Sequence, residues 1–333
     1  MSGLGLVVLI ITIAVLFDFV NGFHDAANSV ATVVATGVLS PGRAVSMAAV
    51  CNFLAAGIFG TSVATTVGRG FVNAEIVTPY VLLAGLVGAI VWNILTWSFG
   101  LPISSSHALI GGFAGAAFAK AGIHGLIVGK WPSTILFIVL APLLGMIFGF
   151  GLMILVYRVF HRWTPARMDR YFRNAQLLSA ALLSGAHGTN DAQKTMGIIT
   201  AVLVSGHIQN GFQVPYWVVA LSASAMGLGT LSGGWRVVKT MGTRLTRLKP
   251  RSGFAAETGA AFSILLATHL GLPVSTTHVV AGSIAGVGSI QRVRAVRWTM
   301  ATHIVLAWIL TIPAAAAVAA ASFFLLELFV VNP

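Results

Sequence analysis

The sequence predicts an all-α polytopic membrane protein made of two inverted-topology repeats, with broken helices and helical hairpins tipped by hydroxyls. Three observations carry that prediction. Of the 333 residues, 57% are hydrophobic and only 8% are charged, too few polar groups to cover a soluble globule of this size. Gly22-Phe-His-Asp-Ala-Ala-Asn-Ser-Val30 has a counterpart, 166 residues later, in Gly188-Thr-Asn-Asp-Ala-Gln-Lys-Thr-Met196. Leu101-Pro-Ile-Ser-Ser-Ser-His107 is matched in the same way by Leu272-Pro-Val-Ser-Thr-Thr-His278.

Apolar segments fall near 4–38, 44–67, 80–100, 103–119, 134–157, 175–205, 214–235, 254–271, 274–290 and 298–330. The 37 glycines suit close helix–helix approach in lipid and local helix breaks. The lone Cys51 makes no disulfide framework and leaves the compartment unread. Residues 1–20 lack a basic start and a cleavage site and run directly into the Asp25 motif, so a cleavable signal is not expected.

Net charge of +12 would suit nucleic acid, but the cations sit in short loops between apolar spans, where membrane orientation explains them. With Arg158, Arg162, Arg167, Arg170 and Arg173 placed in the cytoplasm, and every segment crossing once, 15 cationic residues fall inside. Arg69, Lys120 and Lys130 fall outside, and Lys194 stays in the membrane. Basic loops are then cytoplasmic and both termini external. Five crossings on each side of the basic loop make the second copy enter from the opposite face. The division expected is a first repeat over 1–157, a basic cytoplasmic linker over 158–174 and a second repeat over 175–333. A third anchor, Thr66-Val-Gly68 against Thr240-Met-Gly242, keeps the same order, with offsets of 166, 174 and 171 from first anchor to last in the chain. Inverted repeats with interrupted segments in matching places point to a secondary transporter with a site at the midplane.

Asp25 interrupts a run that is otherwise apolar, and an ionised carboxylate at mid-bilayer costs ~2.5–3.5 kcal/mol on insertion scales. Two such interruptions point to a pair of half-sites. In each hairpin, Gly-Leu-Pro should end one helix, and the Ser104–Ser106 and Ser275–Thr277 groups should cap the next. Each tip would then present hydroxyls, free N–H groups and the positive end of a helix dipole. That combination suits a tetrahedral oxyanion. His107 and His278, beside the tips, either orient them, carry a proton, or simply pack.

Together, Asn21-Gly-Phe-His-Asp-Ala-Ala-Asn28, Gly188-Thr-Asn-Asp-Ala-Gln-Lys194 and the two hairpins closely resemble the inorganic phosphate transporter (PiT) family, across the whole chain and in both halves. The resemblance implies symport of inorganic phosphate by an inverted-repeat bundle in the cell membrane, assembled as a homodimer. It implies Ser105, Ser106, Thr276 and Thr277 as phosphate ligands, with Ser104, Ser275, Asp25, Asp191, Asn28, Gln193 and Lys194 completing the substrate site. Asp25, Asn28, Asp191, Asn190, Glu257 and His24 form the expected cation-coupling set. Sodium-coupled members repeat Asn where this chain has Lys194, and a fixed ammonium there can stand in for a bound cation. A proton is therefore the expected coupling ion, with sodium the alternative, and phosphate travels free or as a neutral complex with a divalent metal. No cofactor and no metal site of the protein's own are assigned.

Competing readings differ in what they need. A sulfate permease on the same scaffold would use the same hydroxyl-lined site. A hydrolase would need a nucleophile elbow or a zinc-type His-Glu-x-x-His pattern, and the sequence has neither, so no enzyme activity is expected. A channel would show conductance without saturation.

Overall fold

A computed structural model describes residues 3–58, 60–68, 72, 76–272, 274–290 and 293–328. Arg69, Pro273 and Arg292, and the side chain of Lys130, lie outside that description. The chain is almost entirely helical. Its first half comprises α1 (Gly3–Ala35), α2 (Pro41–Ala55), α3 (Ser62–Gly68), α4 (Pro79–Ser98), α5 (Ser105–Ala121) and α6 (Trp131–Val159). The second comprises α7 (Pro165–Ser205), α8 (Tyr216–Ser232), α9 (Trp235–Lys239), α10 (Pro250–His269), α11 (Thr276–Ser289) and α12 (Trp298–Leu326), with a π-helical turn at Thr240–Arg244 after α9.

Local chemistry sets most helix starts. Proline opens α2, α4, α7 and α10, where its missing N–H costs nothing. Thr78, Thr164, Ser104 and Ser275 cap α4, α7, α5 and α11 through their side-chain oxygens. The ends before the two hairpins are built alike. Gly100 and Gly271 take φ of 67° and 68°, a left-handed conformation that favours glycine. The following leucines then close back onto the helix, Leu101 N–H to Thr96 O at 3.0 Å and Leu272 N–H to Ala267 O at 2.9 Å.

Helix breaks do occur, between α2 and α3 and between α8 and α9, but not at the acidic motifs. α1 and α7 run unbroken through Asp25 and Asp191, so the interruption there is one of polarity alone. α7 is 41 residues, about 60 Å at 1.5 Å per residue. It starts at Pro165, which puts Arg167, Arg170 and Arg173 on its first turns and leaves a shorter loop than the 158–174 stretch suggested.

The two halves are interlocked. α6 packs on α11, and α12 packs on α5; α10 contacts α7 and α6, as α4 contacts α1 and α12. α1 lies against α8, and α7 against α2. α1 and α7 pass each other in opposite directions, because Ser29 reaches His187 while Thr36, two turns on, reaches back to Gln176. Glycines allow close approach: a Cβ on Gly115 would lie 2.1 Å from the Ala316 carbonyl oxygen, and one on Gly282 would lie 2.0 Å from that of Pro142.

Polarity is distributed as a lipid environment requires. Leu136, Val139, Ile147, Leu155, Ile309 and Leu310 are exposed, while Asp18, Asp25, Asp191, Lys194 and Glu257 are buried. Among the described residues, α1, α4, α6 and α12 are long and apolar enough to cross a membrane by length and composition. α7 is long enough but too polar along its buried face to register by composition.

Candidate functional site

The acidic motifs meet. Ligating atoms of Asp25, His187 and Asp191 all lie within 4.8 Å of one another, and all three side chains are buried. Asp25 Oδ1 pairs with His24 Nδ1 at 2.8 Å. Asp191 is held from two sides along its own helix, by the Lys194 ammonium and by His187 Nε2 at 3.3 Å. The spacing explains this: residues three and four apart on a helix share a face.

The hydroxyl tip of α11 reaches the same centre, and that of α5 faces it. Asn28 donates from Nδ2 to Thr277 Oγ1 at 2.9 Å and to Thr276 Oγ1 at 3.3 Å, and Thr276 Oγ1 donates to Asp191 Oδ2 at 3.4 Å. On the other tip, Ser105 Oγ donates to Asn93 Oδ1 of α4 at 3.0 Å. Ser106 is buried beside it. The rings of His107 and His278 touch edge to face, with centroids 4.8 Å apart, so the N-terminal ends of α5 and α11 face each other. Each end carries N–H groups without an intrahelical acceptor. Trp308 fastens both tips: its ring stacks on His278 at 3.8 Å, and its Nε1 donates to Pro102 O at 2.9 Å.

Several expected residues turn out to be engaged elsewhere. Ser104 and Ser275 spend an oxygen on the His107 and His278 amides, at 3.2 and 3.3 Å. Gln193 Oε1 accepts from Val63 N at 2.9 Å and so caps α3. Asn190 donates to Thr268 Oγ1 on α10 at 2.9 Å. Besides Asp25, His24 faces Thr96, with Nε2 3.4 Å from Oγ1. Glu257 forms its own polar centre, accepting from Thr32 Oγ1 at 2.5 Å, Ser179 Oγ at 2.5 Å and Gln176 Nε2 at 2.8 Å.

Asn93 and Trp308 are contributors that sequence reading did not assign to the site. A single Asn or Trp in an apolar helix gives no signal until the fold shows what it touches. His187 stands 166 residues after Asn21, at the matching place in the second motif. Among the described residues these groups are buried from solvent.

A helical membrane protein whose two halves cross to enclose hydroxyls, paired carboxylates and one ammonium in a dry centre belongs to the class of membrane transporters. The chain is a member of the phosphate transporter family, whose model matches residues 21–319. It is 51% identical over 324 residues to a "Probable low-affinity inorganic phosphate transporter" of Rhizobium meliloti (strain 1021), covering 97% of each chain. It is 43% identical over 331 residues to a protein of the same description from Bacillus subtilis (strain 168), covering 97% of this chain and 98% of that one. A solved structure of a protein described as "The sodium-dependent phosphate transporter" superposes with a TM-score of 0.89 at 25% identity, covering 98% of this chain and all of the other. The relatives are named as transporters and permeases, not enzymes.

Proposed function

We propose that the protein is a symporter that imports inorganic phosphate across the cell membrane by alternating access. The observation that carries this reading is the meeting of Asp25 and Asp191 with the hydroxyl-bearing end of α11, which faces the matching end of α5 across the His107–His278 contact. Phosphate would lie between the two tips, accepting hydrogen bonds from Ser105, Ser106, Thr276 and Thr277 and from the free N–H groups of both helices. Donors without an arginine fork hold the anion and still release it.

Coupling follows from charge. An anion cannot enter beside two carboxylates unless positive charge accompanies it. Lys194 supplies one fixed charge at Asp191, where a bound sodium would otherwise be needed, and this favours a proton over sodium as the coupling ion. The structural neighbour, described as sodium-dependent, keeps sodium as the second reading. Asp25, His187 and Asp191 are close enough to share one cation, so a divalent metal can accompany phosphate as cargo.

The interlocked, oppositely running α1 and α7, and the matched glycine contacts of α5 and α11, support two inverted repeats over 1–157 and 175–333 joined by the basic stretch 158–174. Both termini are then external, the basic loops are cytoplasmic and the halves rock about the centre. A homodimer is the assembly we propose.

Phosphate uptake into proteoliposomes tests the reading. Asp25→Asn and Asp191→Asn should each abolish accumulation, while uptake near the wild-type rate in both would remove the aspartates from the mechanism. Uptake driven by sodium at fixed pH, and indifferent to a proton gradient, would replace the proton. Competition by sulfate that equals phosphate at every pH would redirect the substrate, because phosphate changes protonation near neutrality and sulfate does not.

A further inference from the structure

Asp18 lies on α1 two turns before Asp25 and is fully buried. Neither oxygen of its carboxylate has a hydrogen-bond partner among the described residues. Facing it are the hydroxyls of Thr195 on α7 and Ser222 on α8, both buried and both unpartnered. One turn along α1, Asn21 has an unpartnered carbonyl oxygen, and its amide approaches the Met226 sulfur one turn beyond Ser222. Four side chains from three helices therefore bring oxygens to one region, with the Thr195 and Ser222 hydroxyls as the donors facing the Asp18 carboxylate. The charged groups in range of Asp18 are Lys194 and Asp191, and the Lys194 ammonium is already on Asp191.

A carboxylate withheld from water and faced by hydroxyls alone, while the Lys194 ammonium is on Asp191, requires a positive charge when ionised. Its neighbours supply carboxylate, hydroxyl and amide oxygens, the donor set that hard cations prefer. We propose that Asp18, with Asn21, Thr195 and Ser222, is the loading site for one monovalent coupling cation, a proton or a sodium ion, separate from the phosphate centre.

The proposal rests on the symport reading above and gives it a route. In the proposed orientation Asp18 stands on the external side of Asp25, about 10 Å away along α1 at 1.5 Å per residue. Lys194 and Asp191 are within electrostatic range of Asp18, so the charge on Asp18 acts on that pair. An unloaded Asp18 competes with Asp191 for the ammonium. A loaded one leaves Lys194 to Asp191 and the arriving phosphate. Cation loading and anion binding are thereby linked through one side chain.

The test uses the full-length protein with Asp18→Asn, which keeps the shape and removes the charge, and with Asp18→Glu, which keeps the charge. In proteoliposomes, Asp18→Asn should lower gradient-driven phosphate accumulation by about tenfold or more, a size typical of coupling between sites, and leave phosphate–phosphate exchange intact. Asp18→Glu should restore accumulation. Whichever imposed gradient loses its effect, proton or sodium, identifies the cation. Without phosphate, tryptophan fluorescence titrated with sodium at fixed pH, and with pH in the absence of sodium, should show a saturable response that Asp18→Asn lacks. Wild-type accumulation by Asp18→Asn, or loss of exchange together with accumulation, would overturn the assignment. If the wild type accumulates phosphate under neither gradient, the symport reading fails by itself. The fluorescence titration then decides the site, because an identical response in wild type and Asp18→Asn rejects it and a response lost in the variant sustains it.

Discussion

Lys194 is where the two halves cease to be equivalent. Its counterpart Asn28 reaches across to Thr276 and Thr277, but Lys194 folds back onto Asp191. Removing one partner of a buried pair leaves the other uncompensated, typically at a cost of about 3–5 kcal/mol. Lys194→Met should therefore lower thermal stability in detergent and abolish phosphate uptake, and an unchanged melting temperature would mean that the pair does not hold the site. Trp308 makes a second residue-scale prediction. Trp308→Phe keeps the stack on His278 and drops the bond to Pro102, a loss of about 1 kcal/mol. Trp308→Ala removes both and should cost about 3–5 kcal/mol, with chemical denaturation distinguishing the two. The aspartates and hydroxyls were legible because each breaks an apolar run, and does so twice. Trp308, Asn93 and the capping role of Gln193 were not, because their partners are distant in sequence and nothing local marks the pairing.

Among the elements, the hairpins depend on two local devices, the left-handed glycine that ends one helix and the hydroxyl that caps the next. Both are written in Gly-Leu-Pro-x-Ser, so sequence alone located these turns. Ser104→Ala and Ser275→Ala should each cost about 1 kcal/mol through the lost cap, measured as a fall in the melting temperature. How α5 and α11 dock is a separate matter. Gly111 and Gly115 press against Ile312 and Ala316 of α12, while Gly282 and Gly286 press against Pro142 and Met146 of α6. A side chain at Gly115 has carbonyl oxygen in its way and no flexible neighbour to displace. Gly115→Leu should cost more than the about 1–3 kcal/mol usual for overpacking and prevent recovery of folded protein from the membrane. Gly151→Leu, which meets nothing within 4 Å, is the matched control.

For the whole molecule, the orientation argued from basic residues is open to direct measurement. In a Cys51→Ser background, a cysteine at the exposed Thr164 should react with an impermeant thiol reagent only after the membrane is opened. One at the exposed His124 should react in intact cells. The reverse pattern would invert the topology and the direction proposed for the Asp18 site. From the chain alone came the membrane setting, the duplication and the residues able to meet an oxyanion, because hydropathy, turn chemistry and repeated motifs are local properties. Only the folded bundle decided that α1 and α7 stay continuous, that Asp191 is already held by Lys194 and His187, and that Asp18 stands buried beside Thr195 and Ser222. The Asp191 contacts follow from helical spacing once α7 runs unbroken through the motif, whereas the place of Asp18 depends on which helices cross and at what height, and contacts between residues more than a hundred positions apart leave no periodic trace in sequence.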